Sequence, residues 1–330
     1  MRSLPAVDAA RSGLFTHAEA LAAGWTSAAL RHHVSTGQLV RHRPGVYGPV
    51  TAEPDEAWRA ARQRIRVGAT AAVLANPCAV ASHTASVVLR DLPVWFLPDR
   101  PCVTVQPHFV GDIEGAHLHR ARTPDRHLTT IGVTTTVLER TVIDVGREHG
   151  ALSALVLADA ALHRDQTTVD ELRVFLRDCR GWPGVRAGRE AVEFADWRSE
   201  SPLETASRFK LRGLVPPAEL QASIFDLTGG FIGRTDFLWD EFGVVGEADG
   251  MDKYDIDHAS LRDERVRHER LEQCGLTVVR WTAADLHPID GLITRLRAAF
   301  ARAHRLRPHR RWTAQLLYRA SARALHLSAL

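Results

Sequence analysis

Three runs of apolar and polar residues in the last third of the chain have the spacing of strands: Gln221 to Leu227, Phe231 to Trp239 and Val244 to Ala248. The Gly229-Gly230 pair suits the first turn between them. Ahead of them stands SPLETASRFKLRGL, in which Ser201 can cap a helix, Pro202 suits its first turn and Glu204 lies three residues past the cap, as a capping box requires. Behind them come an amphipathic helical pattern, DERVRHERLEQCG, and a β-rich run, LTVVRWT, that would rejoin the sheet. The expected order is therefore helix, three-stranded meander, helix, strand.

The first fifty residues carry a different rhythm. A short helical pattern from Ala6 is followed by THAEALAAG, with a capping box at Thr16 and Glu19 and a stop at Gly24. TSAALRHHVSTG follows, capped at Thr26 or Ser27 and closed at Gly37. LVRHRPGVYGP then predicts a hairpin turning at Pro44 and Gly45, so the segment reads as a winged helix-turn-helix. Its second helix would carry Arg31, His32 and His33, and its wing Arg41, His42 and Arg43. Basic groups on those two elements predict contact with double-stranded DNA, with docking to another protein as the alternative use.

Between the two ends lies a mixed α+β pattern. A long helix is expected from Asp55 to Asn76 and another from Ser82; PCVTVQPHF, GAHLHRA and IGVTTT read as short strands; VLERTVIDVGREHG and ALSALVLADAALHR read as helices. His83, beside a helix start, suits capping or packing. His117 and His119 alternate along one strand and share a face. Without a third ligand at a suitable spacing they read, like Asp144 and Asp159, as surface or packing residues. Thr167 to Trp197 predicts further helices, and the residues beyond Asp285 read as a basic helical tail, either solvated or set against a nucleic-acid backbone.

Composition narrows the setting. With 330 residues, 45% of them hydrophobic, the chain can bury a sizeable core in two or three domains. The formal charge is only +3, but the basic groups are nearly all arginine, the residue suited to gripping phosphate. Four scattered cysteines without a CxxC pair argue against a zinc ribbon or a disulfide scaffold and predict a reducing, cytoplasmic setting. No signal-peptide pattern or uninterrupted membrane-length run occurs, so no membrane partner is expected.

The acidic residues of the C-terminal segment carry the clearest chemistry. Asp236 lies inside an apolar strand and Glu247 at the end of the next. A buried carboxylate needs a partner, and a divalent cation satisfies two at once. This segment resembles the PD-(D/E)XK nuclease superfamily, in the branch related to very-short-patch-repair endonucleases. That pattern has an acidic helix residue, an Asp, a Glu-x-Asp-Gly strand end and a helix leading to a Gly-x-x-Val-x-Arg strand. The matching positions are Glu204, Asp236, Glu247 with Asp249, and Gly275 with Arg280.

The resemblance covers roughly eighty residues and departs at one point: Asp249 stands where the superfamily has Lys, and the nearest Lys is Lys253. It implies Mg²⁺ or Mn²⁺ held by Asp236, Glu247 and the Ala248 carbonyl, with Lys253 stabilising developing charge. Asp249 would add a ligand or orient water, and Glu204 would bind a second ion or act on the first from beyond its ligands. Arginines 265, 267 and 270 would face DNA, and Arg280 would brace the carboxylates. The alternative is such a fold without catalysis.

Residues 1–50, above all LVRHRPGVYG, resemble the N-terminal domain of AbiEi-type antitoxins, which implies a DNA-binding regulator with a cognate toxin as partner; the middle region resembles the body of the same proteins. The expected organisation is an α+β and α/β multidomain chain. A winged helix at 1–50 precedes a mixed middle region at 51–199, a restriction-endonuclease-like αβββαβ core at 200–286 and a basic helical tail at 287–330.

Overall fold

The computed structural model describes residues 11–250, 258–306 and 311–317. The chain forms two compact units, Met1–Ala195 and Asp196–Leu330. The helix expected from Ala6 begins outside the described residues.

The first unit opens with β1 (Phe15–Thr16), α1 (His17–Ala22), α2 (Ser27–Ser35) and a hairpin of β2 (Leu39–Arg43) and β3 (Val46–Pro49), the strands lying in the order β1-β3-β2. Local chemistry sets both helix starts. The Thr16 hydroxyl accepts the Glu19 N–H while the Glu19 carboxylate accepts the Thr16 N–H, satisfying donors that a helix leaves free at its first turn. Thr26 caps α2 by accepting the N–H of Ala29. Phe15, Ala20, Trp25, Leu30 and Leu39 form the small core beneath.

Next come α3 (Ala57–Ala75), β4 (Val80–Ala81), α4 (His83–Leu89), β5 (Cys102–Val105), β6 (His117–Arg120), β7 (Leu128–Ile131), β8 (Val133–Thr136), α5 (Leu138–His163), α6 (Val169–Asp178) and α7 (Val185–Phe194). The sheet runs β6-β5-β4-β8-β7, with β5–β6 and β4–β8 parallel and the other two pairs antiparallel. The two helices read around residue 150 are the halves of α5, joined across a kink at Gly150 (φ 84°). Helices α5 and α7 approach so closely that a Cβ placed on Gly146 would lie 2.8 Å from the Gly188 backbone. Asp144 and Asp159 are both buried. Asp144 accepts from Arg140 (2.8 Å) and Arg147 (2.7 Å), so its role is packing within a paired cluster.

The second unit contains α8 (Pro202–Leu211), β9 (Glu219–Asp226), β10 (Phe231–Trp239), β11 (Val244–Ala248), α9 (His258–Gln273), β12 (Thr277–Trp281), α10 (Asp290–Leu306) and β13 (Trp312–Gln315). Strands β9, β10 and β11 form an antiparallel meander, whereas β11 and β12 are parallel and therefore need the α9 crossover between them. The sheet order is β12-β11-β10-β9-β13.

The last strand corrects one expectation. Residues beyond Asp285 are not a continuous helical tail, because Trp312–Gln315 pairs antiparallel with β9 at the sheet edge. Trp312 is buried there with Ala222, Ile224 and Leu238. Burial of an indole against a distant strand outweighs the local helical pattern.

Candidate functional site

In the second unit, α8, β10 and β11 each deliver a carboxylate to the same region. The antiparallel register pairs Phe237 with Gly246, so Asp236 and Glu247 are the next residues across the ladder. The backbone N–H of Ala248 donates to Asp236 Oδ2 at 2.8 Å. Glu204 is buried at the start of α8, and its interactions differ from those of a capping box. Ser201 accepts the Glu204 N–H, but the Glu204 carboxylate turns away to accept from the Glu200 N–H (2.9 Å) and from Gln221 Nε2 (2.8 Å).

Electrostatics reflect the crowding. Burial, reinforced by Asp236, pushes the Glu204 carboxyl up to about 7. Burial also raises Asp236, where the Ala248 N–H and Arg267 pull the other way while Asp249 and Glu200 add repulsion. Glu247 is raised by burial and by Asp236 and lowered by Arg267. Arg267 on α9 holds Glu247 Oε2 at 2.5 Å and donates to the Arg234 carbonyl at 2.8 Å. The other carboxylate oxygen, Glu247 Oε1, is buried without a hydrogen-bond partner.

These observations test the fit of a divalent cation. Carboxylate oxygens are the hard donors that Mg²⁺ and Mn²⁺ take, and the orphaned Glu247 Oε1 is an acceptor that desolvation makes costly to leave bare. Arg267 neutralises part of the same charge. Asp236 and Glu247 Oε1 are the oxygens chemically suited to a hard cation, Oε2 being held by Arg267.

Asp249 belongs to the same sheet end, 3.7 Å from Arg280 and with its N–H donated to the Trp281 carbonyl. Lys253 lies outside the described residues. The expectation that Arg267 faces DNA is corrected, because its guanidinium is turned inward onto Glu247. Arg265 pairs with Glu269 and Arg270 lies 3.9 Å from Asp226.

Two partners of the site escaped the sequence reading. Gln221 is buried in β9 with φ 55°, a left-handed conformation unusual for a non-glycine residue in a strand, and it orients Glu204. Nothing in its neighbours announces this. Arg267 did leave a trace: Gly233, a glycine within a strand, lies so close that a Cβ there would be 2.9 Å from Arg267 Cδ. Such a glycine marks the close approach of another group.

In the first unit, Arg31, His32 and Arg41 are exposed on α2 and β2. His33 is half-buried edge-on to Trp25, with its Nδ1 2.8 Å from the Ala29 carbonyl. Burial lowers the pKa of His42, whose Nε2 lacks a hydrogen-bond partner. Arg43 is half-buried within the field of Glu114, burial lowering and Glu114 raising its pKa. Of the residues named on these two elements for DNA contact, Arg31, His32 and Arg41 are the exposed ones.

Residues 2–50, which hold the helix-turn-helix and hairpin, match the family model described as "Transcriptional regulator, AbiEi antitoxin". Over 276 residues the chain is 30% identical to the uncharacterized protein MT2308 of Mycobacterium tuberculosis strain CDC 1551 / Oshkosh, spanning 82% of this chain and 93% of the relative. The uncharacterized protein Rv2248 of strain H37Rv matches with the same figures. The chain belongs to the family of these two proteins. Among the described residues no helix is long and apolar enough to cross a membrane.

Proposed function

We infer that this chain is a DNA-binding regulator of the AbiEi antitoxin type whose second unit hydrolyses phosphodiesters with a divalent cation. The observation that carries the hydrolytic part is the mutual repulsion of Glu204 with Asp236 and of Asp236 with Glu247, carboxylates on a helix and two adjacent strands, together with the unpartnered Glu247 Oε1. The element order α8-β9-β10-β11-α9-β12, with its parallel final pair, supports the restriction-endonuclease-like reading.

Asp236 and Glu247, with the Ala248 carbonyl, would hold the cation. Bound Mg²⁺ or Mn²⁺ supplies Lewis-acid activation of water and neutralises charge at the phosphate. Glu204, with a carboxyl near 7, is poised to exchange a proton with water at neutral pH. Arg267 fixes the Glu247 rotamer, and Gln221 fixes that of Glu204. Asp249 and Lys253 keep their proposed roles in orienting water and stabilising charge.

Supercoiled plasmid incubated with the full chain and Mg²⁺ or Mn²⁺ should be nicked or linearised, and Asp236→Ala should abolish the reaction. DNA left intact by the parent at every pH and metal tested removes the hydrolytic reading. A regulator without hydrolysis is the second reading, favoured by the Arg267–Glu247 ion pair and by Asp249 at the usual lysine position.

For DNA binding, Arg31, His32 and Arg41 are the contact residues of choice, with His33 and Arg43 shaping the same elements. Arg31→Ala with Arg41→Ala should weaken duplex binding and reduce the slope of log K against log salt by about 1.8, at about 0.9 per lost phosphate contact. An unchanged slope excludes this surface. A cognate toxin remains the partner implied by the regulator class.

A further inference from the structure

Outside the acidic centre, the first unit gathers a second set of ligating groups. Parallel strands β5 and β6 place Cys102 beside His117, and His119 follows on the same face of β6. Helix α5 brings Glu148 over them just before its kink at Gly150. One ligand atom from each of Cys102, His117, His119 and Glu148 lies within 4.8 Å of all the others. The third ligand that the β6 pair lacked in sequence therefore arrives from a neighbouring strand and a helix.

The distances are those of ligands around an ion. Glu148 lies 3.4 Å from His117 Nδ1 and 3.5 Å from His119 Nε2, and Cys102 Sγ lies 4.0 Å from Glu148 Oε2. Zinc bonds of about 2.0–2.3 Å in a tetrahedron separate ligand atoms by about 3.3–3.8 Å. His119 Nε2 is buried without a hydrogen-bond partner, as is Nε2 of the adjacent His149.

The surroundings are arranged to hold these rings in place. His83 stacks on His119 at 3.8 Å between ring centroids and is itself held at Nδ1, 3.0 Å from the Ser82 hydroxyl. Its backbone adopts φ 49°, a strained conformation that this packing sustains. His117 stacks on the other side of His119 at 4.6 Å and is half-exposed, leaving an approach from solvent.

We propose that Cys102, His117, His119 and Glu148 bind one zinc ion, with His83 as a positioning residue. A thiolate, two imidazoles and a carboxylate form a borderline-soft set that selects zinc over magnesium. Four protein ligands make a closed site, so the ion is structural and ties the sheet edge at β6 to α5 just before its kink. The Cys102 proton passes to solvent as the zinc–sulfur bond forms, and no oxidation or reduction accompanies it.

The test uses the full chain carrying Asp236→Asn, stripped with chelator and titrated with Zn²⁺ against a competing indicator, and in parallel with Co²⁺. One tight equivalent is expected, with a thiolate-to-cobalt charge-transfer band and tetrahedral cobalt absorption. Cys102→Ser should abolish that band, and His119→Ala should weaken zinc binding at least 100-fold. His108→Ala, an exposed histidine elsewhere in the unit, should change neither.

Melting curves of the metal-free variants, close to that of the metal-free parent, separate lost binding from lost folding. Should a variant fail to fold, the parent's cobalt spectrum decides by itself. The absence of a thiolate band in the parent, or equal zinc affinity in the parent and a folded Cys102→Ser variant, overturns the proposal.

Discussion

Replacing Glu204 by Gln should stabilise the metal-free protein at alkaline pH and do much less at acid pH. Burial holds the folded-state pKa of Glu204 at about 7, above the 4.5 of a solvated glutamate. The folded form prefers the protonated carboxyl, so this group's stabilisation is fully present below pH 4.5 and is lost as pH rises through 7. Integrating between those values gives a penalty of about 1 kcal/mol at pH 5 and about 3 kcal/mol at pH 8.

Gln removes the charge while its amide oxygen can still accept from Gln221 Nε2 and the Glu200 N–H, the bonds Glu204 accepts. At roughly 3 °C per kcal/mol for a unit of this size, the variant should melt roughly 9 °C above the parent at pH 8 and roughly 3 °C above it at pH 5. Differential scanning calorimetry in EDTA at the two pH values reads the difference. Adding Mg²⁺ at ten times its dissociation constant should return about 1.4 kcal/mol to the parent at pH 8 and less to the variant. An equal gap at both pH values, or a variant less stable than the parent at pH 8, would refute the electrostatic account of the cluster.

Removing the guanidinium of Arg267 leaves Glu247 buried without its ion-pair partner. Arg267→Met should therefore cost about 3 kcal/mol in urea denaturation without metal. Part of that loss should be recovered with Mg²⁺, and no loss at all would show that the ion pair is dispensable. Gly146→Ala should destabilise the first unit by about 1–3 kcal/mol, because its Cβ would meet the Gly188 backbone and push α5 from α7. A thermal melt matching the parent's would mean that the two helices have slack between them.

Much of the second unit was legible in the sequence because its information is local. The β10 and β11 boundaries, the Ser201 cap and the αβββαβ order follow from side-chain period, turn glycines and capping chemistry, each acting over a few residues. The winged segment was legible for the same reason, since Thr16, Glu19 and Thr26 form their bonds within three positions. Even the pairing of β10 with β11 could be read, because a meander of short turns puts neighbouring strands side by side.

Tertiary structure decided what depends on groups far apart in the chain. Arg267 turns from solvent onto Glu247 because the Gly233 backbone leaves it a passage, and Trp312 leaves a helical pattern to fill a gap beside β9. Cys102, the pair His117 and His119, and Glu148 meet only when a parallel strand pair and a kinked helix converge. Period and capping carry no signal for such meetings, because long-range packing sets them through the shape and solvation of groups that are strangers in sequence.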